Sequence, residues 1–147
     1  MTSYFYQIRN FTPNMIPIST CVSDPAWFKP KEKDKCCYID KRGVVCGLRY
    51  EPLVVQRNLE CMCPCLDPDP ARCSFLLNYE EELFKLDKNK ILTDFAYCCD
   101  FCQKKTHFEG EPIIVLIVYE IPTNPCSERW GLQKFFNCKE FDFHKIL

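Results

Sequence analysis

Directly after the most apolar run of the chain stands Asn124-Pro125-Cys126-Ser127-Glu128-Arg129. Asparagine is a good helix N-cap and proline a good first helical residue. Asn124 and Pro125 therefore predict a helix start that aims the amides near Cys126 and Ser127 outward, at the positive end of the helix dipole. Arg129 adds a fixed positive fork about one helical turn further on. Such a cradle suits an anionic or nucleotide-like ligand, with Asn124, Ser127 and Arg129 as contacts. The same dipole and guanidinium would acidify the Cys126 thiol, which makes Cys126 and Arg129 the candidate catalytic pair, nucleophile and cation. A cysteine-phosphatase loop would place its arginine where this chain has Leu132, so that mechanism is disfavoured. The plain alternative is a well-capped helix whose Arg129 pairs with a nearby carboxylate such as Glu120.

Thiols supply the other candidate chemistry. Cys61, Cys63, Cys65 and Cys73 fall in a proline-rich stretch with no periodic pattern. Zinc takes a tetrahedron of soft ligands, and closely spaced cysteines on a loop can supply them without a core beneath. Ligands only one residue apart strain that geometry, which leaves Cys61, Cys65 and Cys73 as a smaller set and free loop thiols as the alternative. Cys98-Cys99-x-x-Cys102 offers a second metal half-site or a redox couple at Cys99 and Cys102, with His107 beyond it. A thioredoxin-like pair belongs at a helix start, whereas this one falls near a helix end. Cys98 and Cys102 would also share a helical face as small buried apolar residues. Cys36-Cys37 could complete either cluster. His107 and His144 lie outside these motifs, and no Ser-His-Asp set, HExxH or phosphate-cradling glycine loop is found.

Composition bounds the compartment and the partners. The 147 residues carry 13 cysteines, an odd number, in a chain long enough to fold without disulfide staples. The amino-terminal MTSYFYQIRN lacks the charged start, apolar middle and cleavage site of a secretory signal, so a cytoplasmic, thiol-reducing setting is expected. No run approaches the roughly 18 apolar residues of a membrane span. A net charge of −1 gives no support to nucleic-acid binding. The run KPKEKDK from Lys29 to Lys35 alternates sign around a proline and is expected to be a solvated loop. Eleven prolines against four glycines suggest rigid connections.

The elements that must position these groups are coarsely readable. Tyr4 to Ile8 alternates and predicts a first strand, and Met15 to Thr20 a second, with Pro17 putting it at an edge or a strand start. Asp24-Pro25 marks a turn or helix start. Short strands are expected within Arg42 to Tyr50 and from Leu53 to Val55, parted near Gly47. A helical stripe from Ser74 to about Phe101 predicts two helices with a break near Lys85 to Lys90, and Glu80, Glu81 and Glu82 on the outward face. Pro112 to Tyr119 is apolar throughout, as a central strand covered on both faces would be. A helix follows from about Pro125 to Phe136, burying Trp130, Leu132, Phe135 and Phe136. The whole predicts a single α/β domain over 1–147, a layered, mostly parallel sheet interrupted by a cysteine-rich insertion over 56–73.

YFYQIRNF, MIPIST with DPAWF, and above all IVLIVYEIPTNPCSER resemble the family catalogued as domain of unknown function 488. That family typically ends in a buried strand, a short acidic-proline turn and a Cys-x-x-Arg or Cys-His-Arg at the next helix. The resemblance implies a Rossmann-like α/β sandwich with its site around Cys126 and Arg129, facing the loop after the second strand at Ser19, Thr20 and Asp24. Ser127-Glu128 stand where many members carry a histidine. The leading functional expectation is a domain that binds or acts on an anionic, nucleotide-like ligand at this loop. The alternative is a zinc-stabilised module that binds another protein without catalysis, and a third reading is a thiol redox protein using Cys99 and Cys102.

Overall fold

A strand built from IIVLIV has no face to give to water, so it must be covered on both sides. The computed structural model describes residues 1–32, 34–54, 74–123 and 127–142. Within them the chain runs β1 (Thr2–Tyr4), a 3₁₀ helix (Phe5–Asn10), β2 (Met15–Ser19), β3 (Tyr38–Ile39), β4 (Val45–Cys46), a 3₁₀ turn (Glu51–Leu53), α1 (Ser74–Phe84), α2 (Lys88–Thr106), β5 (Ile113–Val118) and α3 (Arg129–Phe136). The fold is mixed α/β. Its main sheet is parallel and three-stranded in the order β1-β5-β2, and β3 and β4 form a small antiparallel hairpin.

The predicted central strand is β5, with Thr2 opposite Leu116 on one side and Met15 opposite Ile113 on the other. Alternate residues serve two cores. Leu116 and Val118, with Ile16 and Ile18, pack against Leu83 of α1, Ile91 and Phe95 of α2 and Leu132 of α3. Val115 and Ile117, with Met15, pack against Phe5, Ile8, Phe28 and Val44. Full burial of each such side chain contributes about 1.5–3 kcal/mol, so these two clusters outweigh any single polar contact in the molecule. Pro17 lies in β2, an outer strand of the sheet, where its missing donor costs least. Single parallel bridges flank the sheet, Thr2 with Glu140 beyond β1 and Ser19 with Arg49 beyond β2.

The structure departs from the sequence reading at both ends of the first core. Only Thr2–Tyr4 is strand, and Phe5–Asn10 winds into a 3₁₀ helix with Phe5 and Ile8 buried. Alternation would send residues 5 and 8 to opposite faces, whereas a three-residue period stacks them on one. Within Arg42 to Tyr50 the strand shrinks to Val45–Cys46, whose partner Tyr38–Ile39 was not anticipated. Leu53 closes a 3₁₀ turn instead of starting a strand. The two predicted helices are present, parted at 85–87, where Asp87 caps α2 by accepting from the Lys90 amide at 3.2 Å. The second runs on past Phe101 to Thr106 and ends on a left-handed His107. The cysteine-rich insertion over 56–73 lies outside the described residues. No described helix is long and apolar enough to cross a membrane.

Gly47 shows how tightly the hairpin sits. Its φ of +102° lies in the left-handed region, and a Cβ there would come within 3.1 Å of Pro30 Cδ and 3.3 Å of both the Cys37 Cα and the Phe28 carbonyl oxygen. Backbone cannot yield as a flexible side chain does. Gly47→Ala is therefore expected to destabilise the protein by more than about 1 kcal/mol, read as a lower urea midpoint at unchanged slope.

Candidate functional site

Parallel strands bring their carboxyl ends to one edge, and here that edge is unusually polar for a buried place. Ser19 closes β2, Thr20 follows it, and both are fully buried. The Ser19 hydroxyl donates to Asp24 Oδ1 at 2.5 Å, and Arg49 Nη1 donates to the same oxygen at 2.7 Å. Arg49 also donates from Nη2 to the Cys21 carbonyl at 2.7 Å, which ties the loop after β2 to the bridge that flanks it. The Thr20 hydroxyl faces two acceptors, the Ile117 carbonyl at 2.9 Å and Glu128 Oε1 at 3.0 Å. It has one proton to share between them.

On the β5 side, Ser127, Glu128 and Arg129 are all buried. The helix begins at Arg129 instead of Pro125; its N-cap is Glu128, whose side chain makes no cap bond, and the Ser127 hydroxyl oxygen accepts from the Arg129 amide at 3.2 Å. Asn124, Pro125 and Cys126 lie outside the described residues. The Arg129 side chain is 0% exposed. Nη2 donates to the Glu120 carbonyl at 2.6 Å, Nε lies 3.2 Å from Glu140 Oε1, and the Tyr4 ring sits 5.8 Å from the guanidinium carbon. Glu120 thus meets Arg129 through its backbone, and the facing carboxylate is Glu140, which the sequence reading had not singled out. Among the described residues Nη1 has no hydrogen-bond partner.

Glu128 is the second residue missed at the sequence level. Burial pushes its carboxyl well above the usual range, opposed by the Thr20 hydrogen bond, while Glu120 adds to the rise and Arg129 works against it. Burial likewise raises the Tyr79 hydroxyl, with Glu128 as a further cause, and the Cys21 thiol for the same two reasons. Desolvation lowers the Arg129 pKa while Glu140 and Glu120 support its charge. A carboxyl whose burial favours its protonated form and a buried guanidinium therefore stand next to each other at the strand ends. Groups pushed this far from their ordinary values are what acid–base chemistry uses. The signal available in sequence was an acidic residue inside an otherwise apolar helical stripe.

The cysteine expectations divide. Cys61, Cys63, Cys65 and Cys73 lie outside the described residues. Cys99 and Cys102 lie in the carboxyl half of α2, with Cys102 fully buried and Cys99 packed against the same core. Cys98, one turn before Cys102, packs against that core as well, and its neighbourhood together with burial raises the Cys102 thiol well above its ordinary value. Among the described residues no group of three or more His, Cys, Asp or Glu side chains is arranged to hold a metal ion. His107 serves as the left-handed cap of α2.

Two measurements probe the edge. Removing Arg129 takes the cation from the half-buried Glu140 carboxylate and leaves it the Thr2 hydroxyl at 2.7 Å, so Arg129→Met is expected to cost about 3 kcal/mol in chemical denaturation, beyond the loss from an exposed ion pair. A carboxyl raised by folding is uncharged in both states below its unfolded pKa, and above that value the native state is penalised increasingly. Stability should therefore fall as pH rises above the unfolded carboxylate value of about 4.3, with a limiting slope of about 1.4 kcal/mol per unit for one proton, and Glu128→Gln should flatten that decline in melting curves taken with reductant present. Comparison with family models, curated proteins and solved structures finds no match, so the resemblance carried by IVLIVYEIPTNPCSER rests on those residues alone.

Proposed function

We propose that the protein binds an anionic, nucleotide-like small molecule at the carboxyl edge of its parallel sheet, between the loop Ser19–Asp24 and the segment leading into α3, in a Rossmann-like manner. The observation that carries this reading is the unsatisfied Nη1 of the fully buried Arg129. A buried donor without a partner is costly, and a ligand oxygen is one way to satisfy it. The carboxyl ends of the strands are where open parallel sheets hold their ligands.

Each residue then has a role. Arg129 supplies charge, Thr20 and Ser127 line the approach, and Ser19 holds Asp24 and Arg49 in place. Glu128, whose carboxyl burial pushes toward the protonated form, donates a hydrogen bond to the ligand or gives it a proton as general acid. Asn124 and the Cys126 thiol belong to the same proposal through their position in sequence, Cys126 as the nucleophile.

Thermal melts with inorganic phosphate, pyrophosphate and adenosine monophosphate test it. A ligand at about a hundred times its Kd stabilises by about 2.7 kcal/mol, which for a chain of this length is a rise of roughly 5–10 °C. Arg129→Lys keeps a cation but loses the planar fork, and Thr20→Val keeps the shape but loses the hydroxyl. Both are expected to stay folded and to lose the ligand-induced rise. Equal rises in the wild type and both variants, or none with any of the three anions, would overturn the reading.

A further inference from the structure

Lys29, Lys31 and Lys35 stand exposed on the loop that the sequence predicts, and the fold brings two lysines from elsewhere beside them. Lys41 of the β3–β4 turn and Lys105 near the end of α2 line the same cleft, whose volume is about 710 Å³. Sites for small molecules span roughly 300–1,000 Å³, so the space suits one. The acidic residues of the lining are already engaged: Glu32 pairs with Lys35 at 3.4 Å and Asp40 with Arg42 at 2.9 Å. Lys29, Lys31, Lys41 and Lys105 have no ion pair among the described residues. A concave surface lined by one sign of charge concentrates small ions of the other.

The walls are held in place before any ligand arrives. Trp27 makes edge contacts with Phe5 at 6.1 Å and with Phe28 at 6.0 Å, and its carbonyl accepts from the Tyr38 hydroxyl, yet the residue is 53% exposed. Phe28 beneath it is fully buried. The close approach at Gly47 pins the other flank, because Pro30 and Cys37, which a Cβ there would meet, both line the cleft. An indole fixed at its edges but left uncovered is a surface for another ring. A cleft whose walls are already ordered spends little free energy on ordering when it binds.

From this juxtaposition we infer that the cleft is a second ligand site, for a small polyanion that carries a planar ring, of the nucleoside di- or triphosphate class. Lys29, Lys31, Lys41 and Lys105 neutralise the phosphates, and the ring lies on Trp27. Lysine suits a phosphate chain here, since its ammonium is a point charge on a flexible stem and imposes no fork geometry. The site is separate from the one at the strand ends, since none of Ser19, Thr20, Ser127, Glu128 and Arg129 lines it. The two also differ in demand. At the strand ends one guanidinium nitrogen awaits one oxygen, whereas the cleft offers four ammonium groups to several charges at once.

Isothermal titration calorimetry of the reduced full chain at low salt, with chelator present, compares adenosine triphosphate, inorganic tripolyphosphate and adenosine. Both polyphosphates are expected to bind and adenosine is not, because charge supplies most of the affinity. Lys41→Glu with Lys105→Glu, both at exposed positions, should weaken both polyphosphates more than tenfold, and raised salt should weaken both as well. Trp27→Leu should weaken adenosine triphosphate about tenfold, the worth of one base–aromatic stack, and leave tripolyphosphate unchanged, which also shows that the variant is folded. Adenosine triphosphate should protect Lys29, Lys31, Lys41 and Lys105 from acetylation, mapped by peptide mass spectrometry, while Lys104, the neighbour of Lys105 outside the cleft, stays reactive. Binding should survive Arg129→Lys. Absence of binding by either polyphosphate, equal protection of Lys104, loss of binding in Arg129→Lys, or an equal effect of Trp27→Leu on both ligands would each overturn the proposal.

Discussion

Everything in this fold answers to the strand Ile113–Val118, apolar throughout and fully buried over its last four residues. Its even-numbered residues need the three helices and its odd-numbered residues need the aromatic segment from Phe5 to Phe28, so neither face can be given up without exposing the other half of the strand. The outer strands inherit the constraint. Met15, Ile16 and Ile18 of β2 split between the same two cores in register with β5. Register slippage by one residue would exchange the two cores entirely, and this is why such a short sheet holds one alignment.

That apolar interior makes the polar edge costly. Three parallel strands end where Ser19, Thr20, Ser127, Glu128 and Arg129 are all buried. Low-dielectric surroundings strengthen each hydrogen bond there and equally penalise each group left unpaired. The loop after β2 resolves its polar groups internally through Asp24 and Arg49, a closed arrangement in which each partner is accounted for. The segment before α3 does not, since a neutral-leaning carboxyl and a partly unsatisfied guanidinium share it. The difference separates a strut from a site: a strut satisfies its own polar atoms, and a binding surface keeps some for another molecule.

Periodicity revealed what periodicity controls. The continuous apolar run gave the central strand, and the 3.6-residue stripe gave two helices with their break at Asp87. What it missed had other physical causes. Phe5 and Ile8 obey a three-residue spacing that short alternating windows mimic. Tyr38–Ile39 is only two residues long and owes its pairing to the turn at Gly43, whose φ is +90°. At the edge, Arg129 and Ser127 could be named from position relative to a strand end, and Ser19 and Thr20 came only from what the family resemblance implied, but the partners of all four could not be named. Glu140 reaches Arg129 across eleven positions of chain, and Glu128 reaches Thr20 across 108, contacts set by topology alone. The lysine run is the exposed loop its sequence predicts, and Lys41 and Lys105 come beside it only in three dimensions.

The two single-residue bridges that flank the sheet have a consequence for how copies of this molecule meet. An open parallel sheet of apolar strands has exposed ladders at both sides, and such edges recruit further strands from neighbouring chains. Here β1 is only three residues long, with Glu140 beside Thr2, and β2 lacks a donor at Pro17 and has Arg49 beside Ser19. A charged residue therefore stands at each margin where an intruding strand would have to begin pairing. These stops keep a sheet with a wholly apolar centre from growing outward into aggregates.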